Sequence, residues 1–474
     1  MPEIRLKVAS VTALASLLGA CAVGPDYVEP ATRAPERFAQ LDTTTYSPEQ
    51  QALGQFWKVF GDETLDRLIS DALLANHDLR VAVARIREAR AIRGETRLDL
   101  LPTITASGGY TEQRLAQSQV AEPVPRDQEF YDAGFDAFWE LDLFGRVRRA
   151  VEASQAELEG AEASLLDVQS SVTAEVARTY FELRGQQEQL AVARRNVENQ
   201  RETLNLTIAR LEAGSGTELD TARAQAQLSA TLATIAPLEA AVARSIHRLS
   251  VLTGREPTAL TKLLSQPKTL PSLPGIVAVG DPAGLLRRRP DIRVAERRLA
   301  AATARIGVAV GDLFPRVTFT GSAGYLAEEA SALGESGSRT WVIGPGISWA
   351  ALDLGRVRAR IAAAEARSEA ALATYEQTVL RALEEAESAL AAHARARESL
   401  VHVQQAAEAS AAAARLARLR FEGGVVDFLQ VLDAERTLLE AEDRLARSRT
   451  ETATSLIAVY KALGGGWEGV WLRR

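Results

Sequence analysis

Apolar and polar positions alternate along this chain with two different periods. Over residues 131–143, Tyr131, Ala133, Phe135, Ala137, Trp139, Leu141 and Leu143 fall on one side, and Asp132, Gly134, Asp136, Phe138, Glu140 and Asp142 on the other. That is the period-two signature of a strand with one apolar face. After Pro102, Ile104, Ala106, Gly108 and Tyr110 alternate in the same way with Thr103, Thr105, Ser107 and Gly109. Two further stretches repeat the pattern, one after Pro315 (Val317, Phe319, Ala323, Tyr325) and one ending in Trp341, Ile343, Ile347 and Trp349. The period then becomes helical. Val147, Val151, Ser154, Leu158, Ala161, Leu165, Val168 and Val172 follow steps of four and three, a heptad seam. No proline interrupts 145–212 or 355–422, and 68 helical residues reach about 100 Å. The equivalent seam of the second stretch is rich in alanine, which permits close helix approach.

The two halves follow one plan. FWELDLFGRVRRA (138–150) lies over SWAALDLGRVRAR (348–360) without gaps, pairing Trp139 with Trp349, Gly145 with Gly355 and Arg146 with Arg356 at an offset of 210. Residues 77–102 align with 290–315 at an offset of 213, and 210–225 with 420–435 again at 210. Such self-similarity sets the architecture: a mainly α chain with a small β part, built as two strand–strand–long helical hairpin repeats. Each long helix ends at glycines, Gly214 and Gly216 in the first copy and Gly423 and Gly424 in the second. A new helix is then signalled by the capping pairs Thr217 with Asp220 and Asp427 with Gln430. Pro237 has no counterpart at Arg447 and is expected to kink or break the first return helix. The expected organisation is a signal peptide at 1–20, an extended arm at 21–61 and a first repeat at 62–255 with one helix beginning near Asp62 and running through LDRLISDALLANHDLRVAVARIREARA, strands at 102–112 and 129–143 and a hairpin at 145–253. A proline-rich connector at 256–290 follows, then a second repeat at 291–463 with strands at 315–326 and 340–353 and a hairpin at 355–463, and a tail at 464–474.

The first residues, MPEIRLK, are basic on balance, and the apolar run 8–20 is too short to span a bilayer, so the segment is read as a secretory signal. The only cysteine of the chain, Cys21, closes it in LLGAC. An exported lone cysteine has no internal disulfide partner and is either a free thiol or modified. Without 1–20 the chain keeps 53 basic and 61 acidic residues, a net of −8, which disfavours nucleic acid as a partner. His77, His247, His393 and His402 are not spaced for chelation, and no phosphate loop or nucleophile signature occurs, so no cofactor, metal or catalysis is expected. The run Arg287–Arg289 is read as a solvated helix start.

In an exported chain, strands of this length with aromatic ends fit a membrane barrel with lipid outside and water within. Four strands do not close a barrel, so the chain is expected to oligomerise. LLGAC resembles a lipobox, which implies lipidation at Cys21. CAVGPDYVEP, FWKVFGDETLDRLISDALLANHDLRVA, the doubled GRVR junction, LLRRRPDIRVAERRLAAA and RFEGGVVDFLQVLDAERTLLEAE together resemble the outer membrane factor family, the TolC-like channel tunnels, in its OprM and NodT lipoprotein branch. The resemblance implies a homotrimer with a 12-stranded outer-membrane barrel on a long periplasmic helical barrel. It further implies a passive exit duct for drugs, toxic compounds or metal ions, joined to a periplasmic adaptor and an inner-membrane pump of RND or ABC type. Gly145, Arg146, Gly355 and Arg356, with Trp139 and Trp349, would mark where strand becomes tunnel helix. The tips at Gly214, Gly216, Gly423 and Gly424 would meet the adaptor, and Leu429, Asp433 and Arg436, at i, i+4 and i+7, would match the family's periplasmic constriction. The alternative is a periplasmic coiled-coil adaptor or tethering lipoprotein without a pore.

Overall fold

The computed structural model describes residues 22–40, 45–49, 54–121 and 123–467; the signal segment and Cys21 lie outside them. In chain order the elements are β1 (Tyr46–Ser47), a 3-10 turn (Phe56–Phe60), α1 (Glu63–Ala75), α2 (His77–Leu98), β2 (Thr103–Arg114), β3 (Asp127–Leu141), α3 (Arg146–Glu212), α4 (Glu218–Leu252) and the single turn α5 (Thr261–Leu264). They continue with β4 (Val277–Ala278), α6 (Pro282–Arg288), α7 (Pro290–Gly311), β5 (Arg316–Ala327), β6 (Arg339–Ser348), α8 (Leu354–Glu422) and α9 (Phe428–Ala462). The chain folds as two compact units, one from Ala84–Glu162 and Arg293–Gln377 with the segment ending at Ala31, the other from Thr32–Val83, Ala163–Ile292 and Thr378 onward.

The first unit holds a four-stranded antiparallel sheet in the order β2-β3-β5-β6. Its register aligns Ala106, Phe135, Ala323 and Trp341 across the sheet, and Ile104, Ala137, Gly321 and Ile343 in the next row of the same face. Val317 and Ile347 extend that face to its foot. The opposite face carries Thr105, Asp136, Ser322 and Val342 in one row and Ser107, Gly134, Gly324 and Thr340 in another. Period-two alternation thus becomes two chemically distinct surfaces. At the foot of each repeat a tryptophan indole bonds the chain just ahead of a proline: Trp139 Nε1 donates to the Leu100 carbonyl and Trp349 Nε1 to the Leu313 carbonyl, both at 3.0 Å. β3 stops at Leu141, two residues before the expected end. Asp142 leaves the strand because its carboxylate accepts the Val147 and Arg148 amides at 3.0 and 2.8 Å, capping the helix that follows. β6 likewise ends at Ser348, where the expected strand ran to 353.

The second unit is helical, apart from the short parallel pair of β1 with β4. Its aromatic core forms where the 3-10 turn meets long helices: Phe56 stacks on Tyr460 with centroids 5.0 Å apart, and Phe60 meets Phe181 edge-on at 4.9 Å. Asp62 serves two elements, accepting the Thr64 and Leu65 amides as the cap of α1 and the Tyr180 hydroxyl at 2.7 Å. The single helix expected after Asp62 is two. Asn76 breaks it, taking extended backbone (ψ 135) while its side chain caps α2 and donates to the Leu252 carbonyl. The proline at 237 breaks nothing, for α4 runs continuously through it. The lost amide bond and the ring's crowding of the carbonyl four residues back are outweighed by the helical bonds on either side. Nor is Arg289 solvated: it lies past the end of α6, is 8% exposed, and binds Asp291, Glu385 and the Ala462 carbonyl. The connector packs on the long helices, Gln187 and Arg184 of α3 donating to the Leu264 and Gln266 carbonyls.

His393 of α8 is 1% exposed, lies 6.2 Å from the Tyr46 ring and shares a hydrogen bond with Ser455 Oγ. Burial, and then the neighbouring Arg397 charge, lower its pKa to about 4. The unfolded chain therefore binds the extra proton near 6.5 and the folded chain only near 4. Stability is full above 6.5 and falls as pH drops through that window, by roughly 3 kcal/mol. Thermal unfolding monitored between pH 7 and 4 should show this loss, and His393→Gln should flatten that part of the profile.

Candidate functional site

Three places carry the residues singled out by the sequence. At the strand-to-helix junction of the first repeat, Gly145 adopts φ +79, and a β-carbon there would lie 2.5 Å from the Ala22 Cα. Only glycine fits on both counts. Arg146 grips Glu140 of β3 through two hydrogen bonds of 2.9 and 2.6 Å, joining the first turn of α3 to the strand it left. The second junction is built differently. Gly355 lies in the first turn of α8 with no atom close to its Cβ position, and Arg356 pairs with exposed Asp353 at 3.1 Å.

The asymmetry has a cause that the sequence reading missed. Residues 22–27 lie against the first junction: the Val23 amide donates to the Phe144 carbonyl at 3.0 Å, and Gly24 abuts Gly307 so closely that a β-carbon would sit 2.4 Å from its Cα. Arg149 holds this arm by donating to the Val23 and Gly24 carbonyls and pairing with Asp26 at 2.6 Å. Tyr27 donates to Glu296, whose carboxylate also binds Arg297, and burial followed by that hydrogen bond raises the phenol pKa well above its ordinary value. The signal was present as a mismatch between the repeats, since Arg149 is aligned with Ala359. The extra arginine belongs to the copy that receives the arm.

The hairpin tips match each other closely. Gly214 and Gly424 take φ +70 and +71, while Gly216 and Gly423 do not take positive φ. The Ser215 and Val425 amides reach back five residues to the Arg210 and Arg420 carbonyls, closing the helix ends in the same way. Thr217 and Asp427 then cap the return helices through the Asp220 and Gln430 amides, each at 3.2 Å. Behind the tips, Ala224, Phe421, Phe428 and Val431 form a buried cluster, and the Arg210 guanidinium sits 4.3 Å from the Phe421 ring centroid.

Just beyond, α9 shows two faces. Phe428, Val431 and Glu435 point inward, and the Glu435 carboxylate accepts from Arg418 at 2.6 Å and Thr203 at 3.0 Å. Leu429, Asp433 and Arg436 stand on the other face, half exposed or more. Arg436 pairs with Asp433 at 3.1 Å within the helix. This stripe has no equivalent in the first copy, where Leu219 is followed by Arg223 and Ala226.

A sheet with two chemically distinct faces and a pair of long, glycine-tipped helical hairpins are features shared with a class of solved outer-membrane channels. The chain belongs to the outer membrane efflux protein family, whose model matches residues 68–255 and 282–465. It is 32% identical over 456 residues to a solvent efflux pump outer membrane protein, SrpC, of Pseudomonas putida, covering 95% of this chain and 96% of that one. Nodulation protein T of Rhizobium leguminosarum bv. trifolii is 30% identical over 458 residues, with 96% of each covered. Among solved structures, the outer-membrane channel OprN superposes with a TM-score of 0.89 at 46% identity, covering 95% of this chain and all of that one. The family is one of outer-membrane channels, and these similarities favour a channel over a poreless tether.

Replacing the arm's anchor tests the junction. Arg149→Ala should remove about 2 kcal/mol of arm attachment, the scale of one hydrogen bond to a charged group. Limited proteolysis should then cleave before residue 31 several-fold faster while the rest of the chain resists as before.

Proposed function

We propose that this protein is the passive outer-membrane exit duct of a tripartite efflux system, closed as a homotrimer. The observation that carries this reading is the sheet, with one face of Ile104, Phe135, Phe319, Trp341, Ile343 and Ile347 and the other mainly of threonine, serine, glycine and acidic residues. Within the described residues, β2 and β6 each pair with a single strand. An open edge in hydrocarbon leaves each unpaired backbone group at a cost of several kcal/mol, so β2 of one copy must meet β6 of the next. Three copies of four strands make a 12-stranded barrel with the apolar face to lipid and the polar face to a water-filled lumen.

In this reading Cys21 carries acyl chains. The arm supports it: Ala22 lies against Gly145 at the foot of β3, beside the expected membrane boundary. The tips at Gly214, Gly216, Gly423 and Gly424 dock to the periplasmic adaptor, which links the duct to the inner-membrane pump, of RND or ABC type. Solvents, drugs or other small toxic compounds are the cargo class suggested by the relatives' names. Leu429, Asp433 and Arg436 form the resting constriction, supported by their exposure on one face of α9 and by their absence from the first repeat. Threefold symmetry would bring three copies of each toward one axis. The Asp433–Arg436 pair alone, exposed and within one helix, stabilises by only a few tenths of a kcal/mol, so the closure of a gate would have to come from contacts between copies.

Two experiments test this function. Cys21→Ser should abolish labelling by radioactive fatty acid, and persistent labelling would place the anchor elsewhere. Leu429→Gly combined with Asp433→Ala should raise single-channel conductance in planar bilayers and sensitise cells to large antibiotics such as vancomycin. Wild-type conductance in that variant, with normal trimer yield, would move the gate to another site.

A further inference from the structure

One row of the polar sheet face does not suit a plain water-filled wall. Phe138 stands on that face 52% exposed, with Thr103 beside it on β2 and Thr320 and Gly344 beyond it on β5 and β6. In the neighbouring row, about 7 Å along the strand, lie Thr105, Asp136, Ser322 and Val342, the last 64% exposed. The two rows enclose a depression of about 390 Å³. Glycines keep it open: a β-carbon at Gly344 would meet nothing within 4 Å, and Gly134 and Gly324 leave the middle of the row above Asp136 without side chains. Asp136 is held in place by Ser107, whose Oγ donates to Oδ2 at 2.8 Å. Among the described residues Asp136 has no ion-pair partner, whereas Glu140 on the same face is neutralised by Arg146. The depression therefore offers an unneutralised carboxylate with an aromatic side chain one row along its own strand and an aliphatic one two strands away in its own row, ringed by hydroxyls.

We propose that this depression is a transient binding station for amphiphilic organic cations, with the positive group at Asp136 and the apolar body on Phe138 and Val342. The inference rests on the channel reading, in which this face lines the lumen and threefold closure repeats the station around it. A cation near the carboxylate gains Coulomb attraction in a confined, partly apolar setting, the aromatic face attracts it further, and its body covers apolar surface that otherwise meets water. An anion of the same shape loses the first two terms. A small hydrated cation loses the last.

Tetraphenylphosphonium, tetramethylammonium and tetraphenylborate separate these contributions in single-channel recordings from the full-length trimer. Tetraphenylphosphonium should interrupt the wild-type current at concentrations at least tenfold below tetramethylammonium, and tetraphenylborate should not interrupt it. Asp136→Asn should raise the half-blocking concentration of tetraphenylphosphonium about tenfold, equivalent to about 1.4 kcal/mol, and Phe138→Thr should raise it several-fold, while Phe138→Trp should retain the block. Asp132→Asn, on the same strand and face but outside the depression, controls for general lumen charge and should leave the block nearly unchanged. Block unaltered by both Asp136→Asn and Phe138→Thr, or weakened equally by Asp132→Asn, overturns the station. Equal block by tetraphenylborate also overturns it, since a merely narrow apolar ring would give that result. If the wild-type trimer conducts nothing under any condition, the channel reading itself falls and the station falls with it.

Discussion

A peptide group in hydrocarbon has no water to bond, and this constraint organises the protein. Each strand of the sheet must pair on both sides, yet one copy supplies four strands in the order β2-β3-β5-β6 and leaves its two outer ones single-sided among the described residues. The duplication answers half of the problem by adding a second pair of strands to the first. In the proposed trimer, association of copies answers the rest. Everything that distinguishes the two repeats is then free to serve other purposes.

Those differences are where the proposed functional roles collect. The first junction carries Arg149 and a positive-φ Gly145 and receives the N-terminal arm; the second carries Ala359 and an unencumbered Gly355. The second return helix carries Leu429, Asp433 and Arg436 on an exposed stripe, while the first has no acid–base pair there. The first return helix is poor in charge and includes Pro237. A symmetric scaffold built for closure has thus been individualised at its ends, one copy for attachment and the other for the proposed constriction.

The lumen wall follows the same logic on a smaller scale. Alternation places each residue on the lipid or water side without exception, so an apolar residue on the water side is a local departure rather than an error of register. Phe138, Val342 and Leu326 are such departures, and all three are exposed. Phe138 and Val342 flank Asp136, which has no ion-pair partner among the described residues, and in the proposed station they give the wall a chemical preference.

Much of this was legible in the sequence. Period two gave the strands and their faces, period 3.5 the long helices, and the repeat offset the two hairpins with their glycine tips, because each of these is fixed by spacing along the chain alone. What the sequence left open depended on partners far away in it. Asn76 divides a continuous helical pattern because its amide reaches Leu252, and Asp142 ends a strand early because it caps the helix ahead. Arg289, one of three arginines that look alike in sequence, is buried because Asp291, Glu385 and the Ala462 carbonyl converge on it. The arm's seat on Arg149 is of the same kind. Local periodicity specifies which elements form, since backbone geometry and the side-chain repeat are local properties. Tertiary packing alone decides which polar groups meet, and so where elements stop and which charges are solvated.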